Sequence, residues 1–262
     1  MKKQVSQYKE HIQPLESMKK YPQELYVLGN TSFLTRPKVS IVGTRRPSIY
    51  TQHQTQNLAS ALSKRGVCLV SGAAMGVDAL VHQGAGYDNT IAVVANSLDI
   101  RYPAVNRHII EGIENEGLVI SQFPNTTKAA PWSFVVRNEL VVALGDVLIV
   151  TEADENSGSM RSVEFALKMG KEIYVLPQQL GHSNGTNKLL AEGLAKAIYD
   201  IESFANKYGI VPQNELVPKD EFFYFCQTSP TFDDAVLKFS DRVYEAELEG
   251  LICIENGLVR LV

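Results

Sequence analysis

The fold of this chain is decided by the stretch Val39-Ser40-Ile41-Val42-Gly43-Thr44-Arg45-Arg46-Pro47. A β-branched run ends at a glycine, and two arginines precede a helical pattern. This junction differs from the Gly-x-Gly-x-x-Gly of dinucleotide-binding loops and from the Gly-Lys-Ser/Thr that closes a P-loop. Anion binding here would rest on charge-assisted hydrogen bonds from Arg45 and Arg46. An ordinary strand-to-turn junction with solvated arginines is the alternative.

The pattern around this stretch predicts an α/β fold with a doubly wound, Rossmann-like, mostly parallel sheet, because strands alternate with helices. Aliphatic runs such as Val147-Leu148-Ile149-Val150 suit parallel strands covered on both faces. The predicted strands are Leu25–Leu28, Lys38–Gly43, Val67–Ser71, Thr90–Asn96, Leu118–Ser121, Asp146–Thr151 and Glu172–Leu176. The predicted helices are Thr51–Arg65, Gly76–Gly84, Asn106–Glu116, Phe134–Leu144, Ser159–Met169 and Thr186–Gly193.

The pattern changes in the last quarter of the chain. Three short helices are predicted there, and Asn256-Gly257 between two apolar runs predicts a hairpin. Three helices followed by a hairpin are typical of a small winged-helix-like domain. The predicted helices are Glu221–Gln227, Thr231–Phe239 and Asp241–Glu249. The predicted domains are an N-terminal extension (1–21), a Rossmann-like domain (22–207), a polar linker (208–218) and a winged-helix-like domain (219–262).

The acidic residues are unevenly distributed. The formal net charge is −4, which argues weakly against nucleic-acid binding. From Gln213 to Val262, however, there are four basic and ten acidic residues, against 21 basic and 19 acidic in the rest. The helix Asp241–Glu249 would repel a phosphate backbone, so we expect the C-terminal domain to contact protein or to support dimerisation. A packing appendage is the alternative.

Several classes of protein are disfavoured by composition. Three widely spaced cysteines without a CxxC pair favour a reducing compartment. Neither a secretory signal nor a membrane span is apparent, so we expect a cytoplasmic protein. The five histidines lack metal-ligand spacing, and we find no nucleophile arrangement. The sequence therefore predicts no catalytic residue, no metal and no cofactor.

Small and polar residues follow four of the predicted strands, where a doubly wound sheet binds its ligands. These loops are Gly43–Arg46, Ser71–Asp78, Glu152–Met160 and Asn184–Asn187. Plain helix capping would explain any one of them, but four at one edge predict contact with several phosphates. Phe134 or Trp132 could stack on a base, and Arg137 and Asn138 follow Phe134, although a lone phenylalanine is more often part of a core.

Taken together, these motifs resemble the DNA-processing protein A family (DprA, also called Smf). The resemblance begins at Pro22 and rests on Ile41–Arg45, Ser71–Asp78, Asp99, Tyr102-Pro103, Asn106, Arg137-Asn138, Glu152-Ala153, Ser157–Ser159 and Gly185–Asn187. It implies a protein that binds and protects single-stranded DNA, forms a homodimer and helps to load the RecA recombinase during natural transformation. The predicted DNA-binding residues are Gly43, Thr44, Arg45, Arg46, Ser71, Gly72, Ala73, Gly76, Lys128, Phe134, Arg137, Asn138, Ser157, Gly158 and Ser159.

The chain departs from the family pattern at four places. Ala73 replaces a glycine, Asn96-Ser97 replaces Cys-Gly, and Glu139 replaces an arginine beside the expected groove. Lys128 is the nearest substitute for a lysine that some relatives place before the phenylalanine. We expect these changes to affect the affinity for DNA more than the function.

Two other functions remain open at this point. The first is a nucleotide-processing phosphoribohydrolase on a related fold, whose motif is Pro-Gly-Gly-x-Gly-Thr-x-x-Glu. Here the segment Ala153–Ser159 lacks those glycines, and the next glutamate, Glu164, comes later than that motif requires. The second is a scaffold that acts only through its acidic tail.

Overall fold

The computed structural model describes residues 5–210, 221–248 and 250–261. It divides the chain into two compact units, Met1–Ile210 and Val211–Val262. Most of the predicted linker, from residue 211 to 218, lies outside the described residues. So do residues 1–4 of the predicted extension and residues 219, 220, 249 and 262 of the predicted winged-helix-like domain.

The first unit is built on one nine-stranded sheet in the order β1-β2-β6-β5-β4-β3-β7-β8-β9. All neighbouring pairs from β6 to β9 are parallel, whereas β2 is antiparallel to both β6 and β1. The strands are Ser6–Gln7 (β1), Tyr26–Gly29 (β2), Lys38–Val42 (β3), Cys68–Ser71 (β4), Thr90–Val93 (β5), Leu118–Ser121 (β6), Val147–Val150 (β7), Ile173–Val175 (β8) and Lys196–Ala197 (β9). The predicted mostly parallel, Rossmann-like α/β fold is thereby confirmed.

Helices cover both faces of this sheet. Ile41 and Val42 are consecutive in β3 but belong to the cores on opposite faces, as the alternation of side chains in a strand requires. Ile41 packs with Leu58 and Val77, whereas Val42 packs with Leu140. The helices of this unit are Ile49–Ser63 (α1), Val77–Ala85 (α2), Arg107–Glu116 (α3), Pro131–Leu144 (α4), Gly158–Lys168 (α5), Asn184–Ala191 (α6) and Ile201–Ala205 (α7).

The structure differs from the predicted elements at several points. The two-residue edge strands β1 and β9 and the short helix α7 were not predicted, because so few residues carry no readable periodicity. β5 ends at Val93, three residues before its predicted end, and beyond it the Asn96 side-chain amide donates to the carbonyls of Ser97 and Ile100 in a turn. α4 starts three residues before Phe134, since Pro131 occupies its first turn.

The second unit has the predicted order of three helices and a hairpin. Its elements are Glu221–Cys226 (α8), Phe232–Phe239 (α9), Asp241–Leu248 (α10), Ile252–Glu255 (β10) and Leu258–Leu261 (β11). The hairpin turn has positive φ at Asn256 (54°) and Gly257 (77°), as a type I′ turn requires. Phe222, Val243 and Val259 are buried in a core of its own. Across the described part of both units, no helix has the length and apolar character to span a membrane.

Candidate functional site

A cleft of about 400 Å³ lies where β3, β4 and β7 end. β3 sits between β4 and β7, so the chain leaves it in one direction and later returns on its other side. Such a switch point is where doubly wound sheets bind ligands. The cleft is lined by Val42, Gly43, Thr44, Arg45, Gly72, Ala74, Met75, Asp78, Phe134, Arg137, Asn138, Val141, Ser157, Gly158, Ser159 and Ser162.

The turn after β3 is held by backbone hydrogen bonds to both neighbouring loops. The Thr44 N–H donates to the Glu152 carbonyl at 2.8 Å, and the Val77 N–H donates to the Thr44 carbonyl at 3.1 Å. Gly43 is required by close packing, because a Cβ there would lie 2.6 Å from a Val77 methyl group. This fixed turn presents the exposed Arg45 at the cleft.

Phe134 stands between two arginines. The Cζ atom of Arg45 lies 5.2 Å from the centre of the Phe134 ring, and that of Arg137 lies 5.8 Å from it. The ring is half-buried and lines the cleft. A guanidinium over an aromatic face is attracted by the ring quadrupole, so Phe134 helps to position Arg45.

Arg137 has a different environment from Arg45. Its side chain is buried, and Nη1 donates to the carbonyls of Gly72 and Val93. The carboxylate of Asp78 is 3.9 Å from Nη1. Burial lowers the pKa of Arg137 and raises the pKa of Asp78, while the attraction between the two charges opposes both changes. Arg137 is thus a buried residue that holds the backbone of the cleft wall in place through its hydrogen bonds to Gly72 and Val93.

The loop after β4 is shaped mainly by residues that do not line the cleft. The Ser71 hydroxyl donates to the Ile41 carbonyl, and Ala73 is buried in the core beneath α3. Ala73 has φ of 55°, a conformation that favours glycine, so its methyl group adds strain but does not narrow the cleft. Gly76 has φ of 79°, and a Cβ there would come within 2.5 Å of the Thr44 carbonyl oxygen.

The amino end of α5 offers hydrogen-bond donors. Ser157, Gly158 and Ser159 begin this helix and line the cleft. The hydroxyls of Ser157 and Ser162 are buried without a hydrogen-bond partner in the described part of the chain. Free helix N–H groups and unpaired hydroxyls together suit an anionic oxygen.

Ten of the fifteen predicted residues therefore meet in one cleft, and five lie outside its lining. Those outside are Arg46, Ser71, Ala73, Gly76 and Lys128. Glu139 was expected beside the groove, but it lines another cavity, with Tyr21, and accepts from the Lys19 N–H at 2.9 Å. Glu139 therefore lies outside the lining of this cleft, because residue 139 is on the opposite side of α4 from Phe134 and Arg137.

Six lining residues were not among the fifteen predicted, namely Val42, Ala74, Met75, Asp78, Val141 and Ser162, although Ala74, Met75 and Asp78 belong to the predicted loop Ser71–Asp78. Val141 and Ser162 each follow a predicted residue, Arg137 and Gly158, by one helical turn, so the i+4 spacing carried a usable signal. Asp78 is the one carboxylate among the described lining residues. The described ranges hold no group of three or more His, Cys, Asp or Glu side chains arranged for a metal ion.

Comparison with known sequences gives one consistent result. A family model, DNA recombination-mediator protein A, matches residues 3–209. The chain is similar to the DNA processing protein DprA of Bacillus subtilis, with 31% identity over 193 residues, which cover 72% of this chain and 65% of that protein. It is also similar to protein Smf of Synechocystis, with 31% identity covering 79% of this chain and 56% of Smf. The chain thus spans less than two thirds of the length of these relatives.

Solved structures agree. DNA processing protein A from Helicobacter pylori, whose single-stranded DNA binding mode has been described, is 41% identical with a TM-score of 0.76, covering 78% of this chain and 95% of that one. The X-ray structure of DprA from Streptococcus pneumoniae is 28% identical with a TM-score of 0.73, covering 79% of this chain and 75% of that one.

Proposed function

Because the chain belongs to the DNA recombination-mediator protein A family, we propose that it binds single-stranded DNA in the cleft around Arg45 and Phe134. The observation that carries this proposal is one exposed guanidinium beside a half-buried aromatic ring, opposite the amino end of a helix. Phosphate binds to the guanidinium and to the amino end of the helix, and a base stacks on the ring.

The proposed contacts favour a strand of any sequence. Arg45 and Arg46 neutralise phosphates, and the first turn of α5 with Ser157 and Ser162 donates to a further phosphate. A base stacks on Phe134, and stacking is tolerant of sequence because every base has a π-face. An unpaired strand is favoured over a duplex, because only unstacked bases expose that face.

Binding, not hydrolysis, is the proposed activity. Asp78 is buried against Arg137, so it is poorly placed to reach a substrate. Glu164, the glutamate considered for a phosphoribohydrolase, pairs with Arg161 on the surface at 2.8 Å. Neither carboxylate is disposed as a free acid or base in the cleft.

Protection of the strand, loading of the RecA recombinase and homodimer formation belong to the same proposal. They rest on membership of the family and not on a particular contact in this chain. The acidic second unit is the part we assign to protein contact, since its described surface carries more carboxylates than basic groups.

Fluorescence anisotropy with a labelled oligonucleotide tests the proposal. The full chain should bind a single strand more tightly than the matching duplex, and its affinity should fall steeply with salt. Arg45→Ala should weaken binding and reduce the slope of log affinity against log salt by about one. An unchanged slope would remove Arg45 from the site. Equal affinity for duplex would contradict the proposed selectivity, and release of free base from a nucleoside monophosphate would favour the enzyme.

A further inference from the structure

We propose that Tyr102 forms a second base-stacking subsite beside Phe134, so that the cleft holds two neighbouring bases; this rests on the proposed binding of single-stranded DNA. Tyr102 is 48% exposed. Its centre lies 6.3 Å from that of Phe134, with 54° between the planes. The two rings therefore touch without stacking on each other, and each retains surface for a base.

The position of Tyr102 continues the cleft along the edge of the sheet. Arg45 follows β3 and Tyr102 follows β5, with β4 between these strands. Because two interstrand spacings lie between them, β3 and β5 are about 10 Å apart. Phe134 contacts both side chains, so the order along the edge is cation, ring and second ring. A short stretch of nucleic acid fits this order, with phosphate at Arg45 and bases on the two rings.

Apolar surface extends the cleft in the same direction. Met75 lines the cleft and is 46% exposed, and Val105 is exposed three residues after Tyr102. The Asn106 side chain donates to the carbonyls of Ala73 and Ala74 at 3.0 and 2.9 Å. The Tyr102 segment is thus tied to the Met75 loop, which lines the cleft.

The segment that carries Tyr102 is already ordered. A carboxylate oxygen of Asp99 accepts from the Thr126 N–H at 3.2 Å, and Arg101 pairs with Glu114 at 2.8 Å. Little conformational entropy remains to be lost when a base stacks on the ring. Since Arg101 is already paired, we assign the contact at this end to stacking instead of to a phosphate.

Anisotropy with a labelled thymidine oligonucleotide, and with the same oligonucleotide carrying abasic residues, tests the subsite. Tyr102→Ala should weaken binding to the thymidine oligonucleotide between about fivefold and a hundredfold. Its salt slope should equal that of the wild type, since no phosphate contact is removed. Tyr102→Phe should bind within about twofold of the wild type, because stacking needs the ring and not the hydroxyl. On the abasic oligonucleotide, Tyr102→Ala and wild type should bind alike.

Tyr199→Ala is the matched control, because Tyr199 is also a tyrosine on the surface, 88% exposed. It should bind as the wild type does. If Tyr102→Ala binds normally while Arg45→Ala is weakened, the subsite is wrong and the proposed function stands. An equal loss on both oligonucleotides would also overturn the subsite, since the ring would then act without a base. If the wild type binds no single strand, the function itself fails.

Discussion

The Gly72 carbonyl accepts a hydrogen bond from Nη1 of Arg137, and a Cβ atom on Gly72 would overlap that same nitrogen. The guanidinium lies directly against the backbone of the loop after β4. Moving it would break its hydrogen bond to Val93 and its pairing with Asp78. Glycine is therefore required at position 72 for space.

We predict that Gly72→Ala lowers the free energy of unfolding by about 1–3 kcal/mol, the usual cost of forcing extra atoms into a packed site. Thermal and denaturant unfolding measure this. Gly158→Ala is the matched control, because nothing lies within 4 Å of a Cβ placed there. Equal stability of Gly72→Ala and the wild type would mean that Arg137 can leave its position freely.

Substitution of the two arginines of the cleft should have different effects on the stability of the fold. Arg137→Ala leaves the Asp78 carboxylate buried without its partner, and we expect a loss of about 3 kcal/mol in unfolding free energy. Asp78→Asn in the same background should recover part of that loss. Arg45→Ala removes an exposed side chain, so its stability should stay within about 0.5 kcal/mol of the wild type. If Arg137→Ala remains fully stable, Arg137 is not a structural residue.

Position 139 tests which side of α4 faces DNA. We predict that Glu139→Gln leaves the affinity for a single strand within about twofold of the wild type. Glu139 accepts a hydrogen bond from the Lys19 N–H on the other side of the helix. Asn138→Asp is the matched change on the cleft side, and it keeps an oxygen to accept from Arg137 Nε. It should weaken binding about fivefold, since two charges roughly 4 Å apart in water interact by about 1 kcal/mol. Tighter binding by Glu139→Gln would return that residue to the groove.

The cleft was predictable from sequence wherever backbone topology alone decides the outcome. The carboxyl ends of parallel strands meet at one edge, so the sequence alone places Gly43 and Ser157 on the same side of the sheet. The family resemblance inferred from these loops is confirmed by the match over residues 3–209. The mostly parallel sheet followed from the alternation of strands and helices, whereas the order of the strands was not predicted.

What sequence reasoning missed depends on the rotation of side chains about helix axes. Arg137 was predicted to contact DNA because it follows Phe134 and matches the family pattern, although it precedes the buried Leu140, Val141 and Leu144 at helical spacing. That spacing already placed it on the inward face. Lys128 was named as the nearest substitute for a lysine of some relatives, and it lies outside the lining of the cleft. Charge in a sequence identifies a cation but not the direction in which it points.

The buried His82 should make the fold sensitive to acid. Thr90 donates its hydroxyl hydrogen to the Leu69 carbonyl, so Nδ1 of His82 must donate to the Thr90 oxygen, at 2.7 Å. Nε2 is buried without a partner in the described part of the chain, and burial lowers the pKa of His82 from 6.5 to about 3. The folded state therefore holds the neutral ring, while the unfolded chain takes up a proton below pH 6.5.

The stabilisation due to His82 is thus complete above the unfolded pKa of 6.5 and is lost as the pH falls towards about 3. Between pH 7.5 and 5 this group alone should lower the unfolding free energy by about 2 kcal/mol. Denaturant unfolding at a series of pH values measures the change. His82→Gln should flatten the curve in this window whatever its absolute stability, whereas the exposed His108→Gln should not. A wild-type curve that stays level from pH 7.5 to 5 would show that the ring can be protonated within the fold.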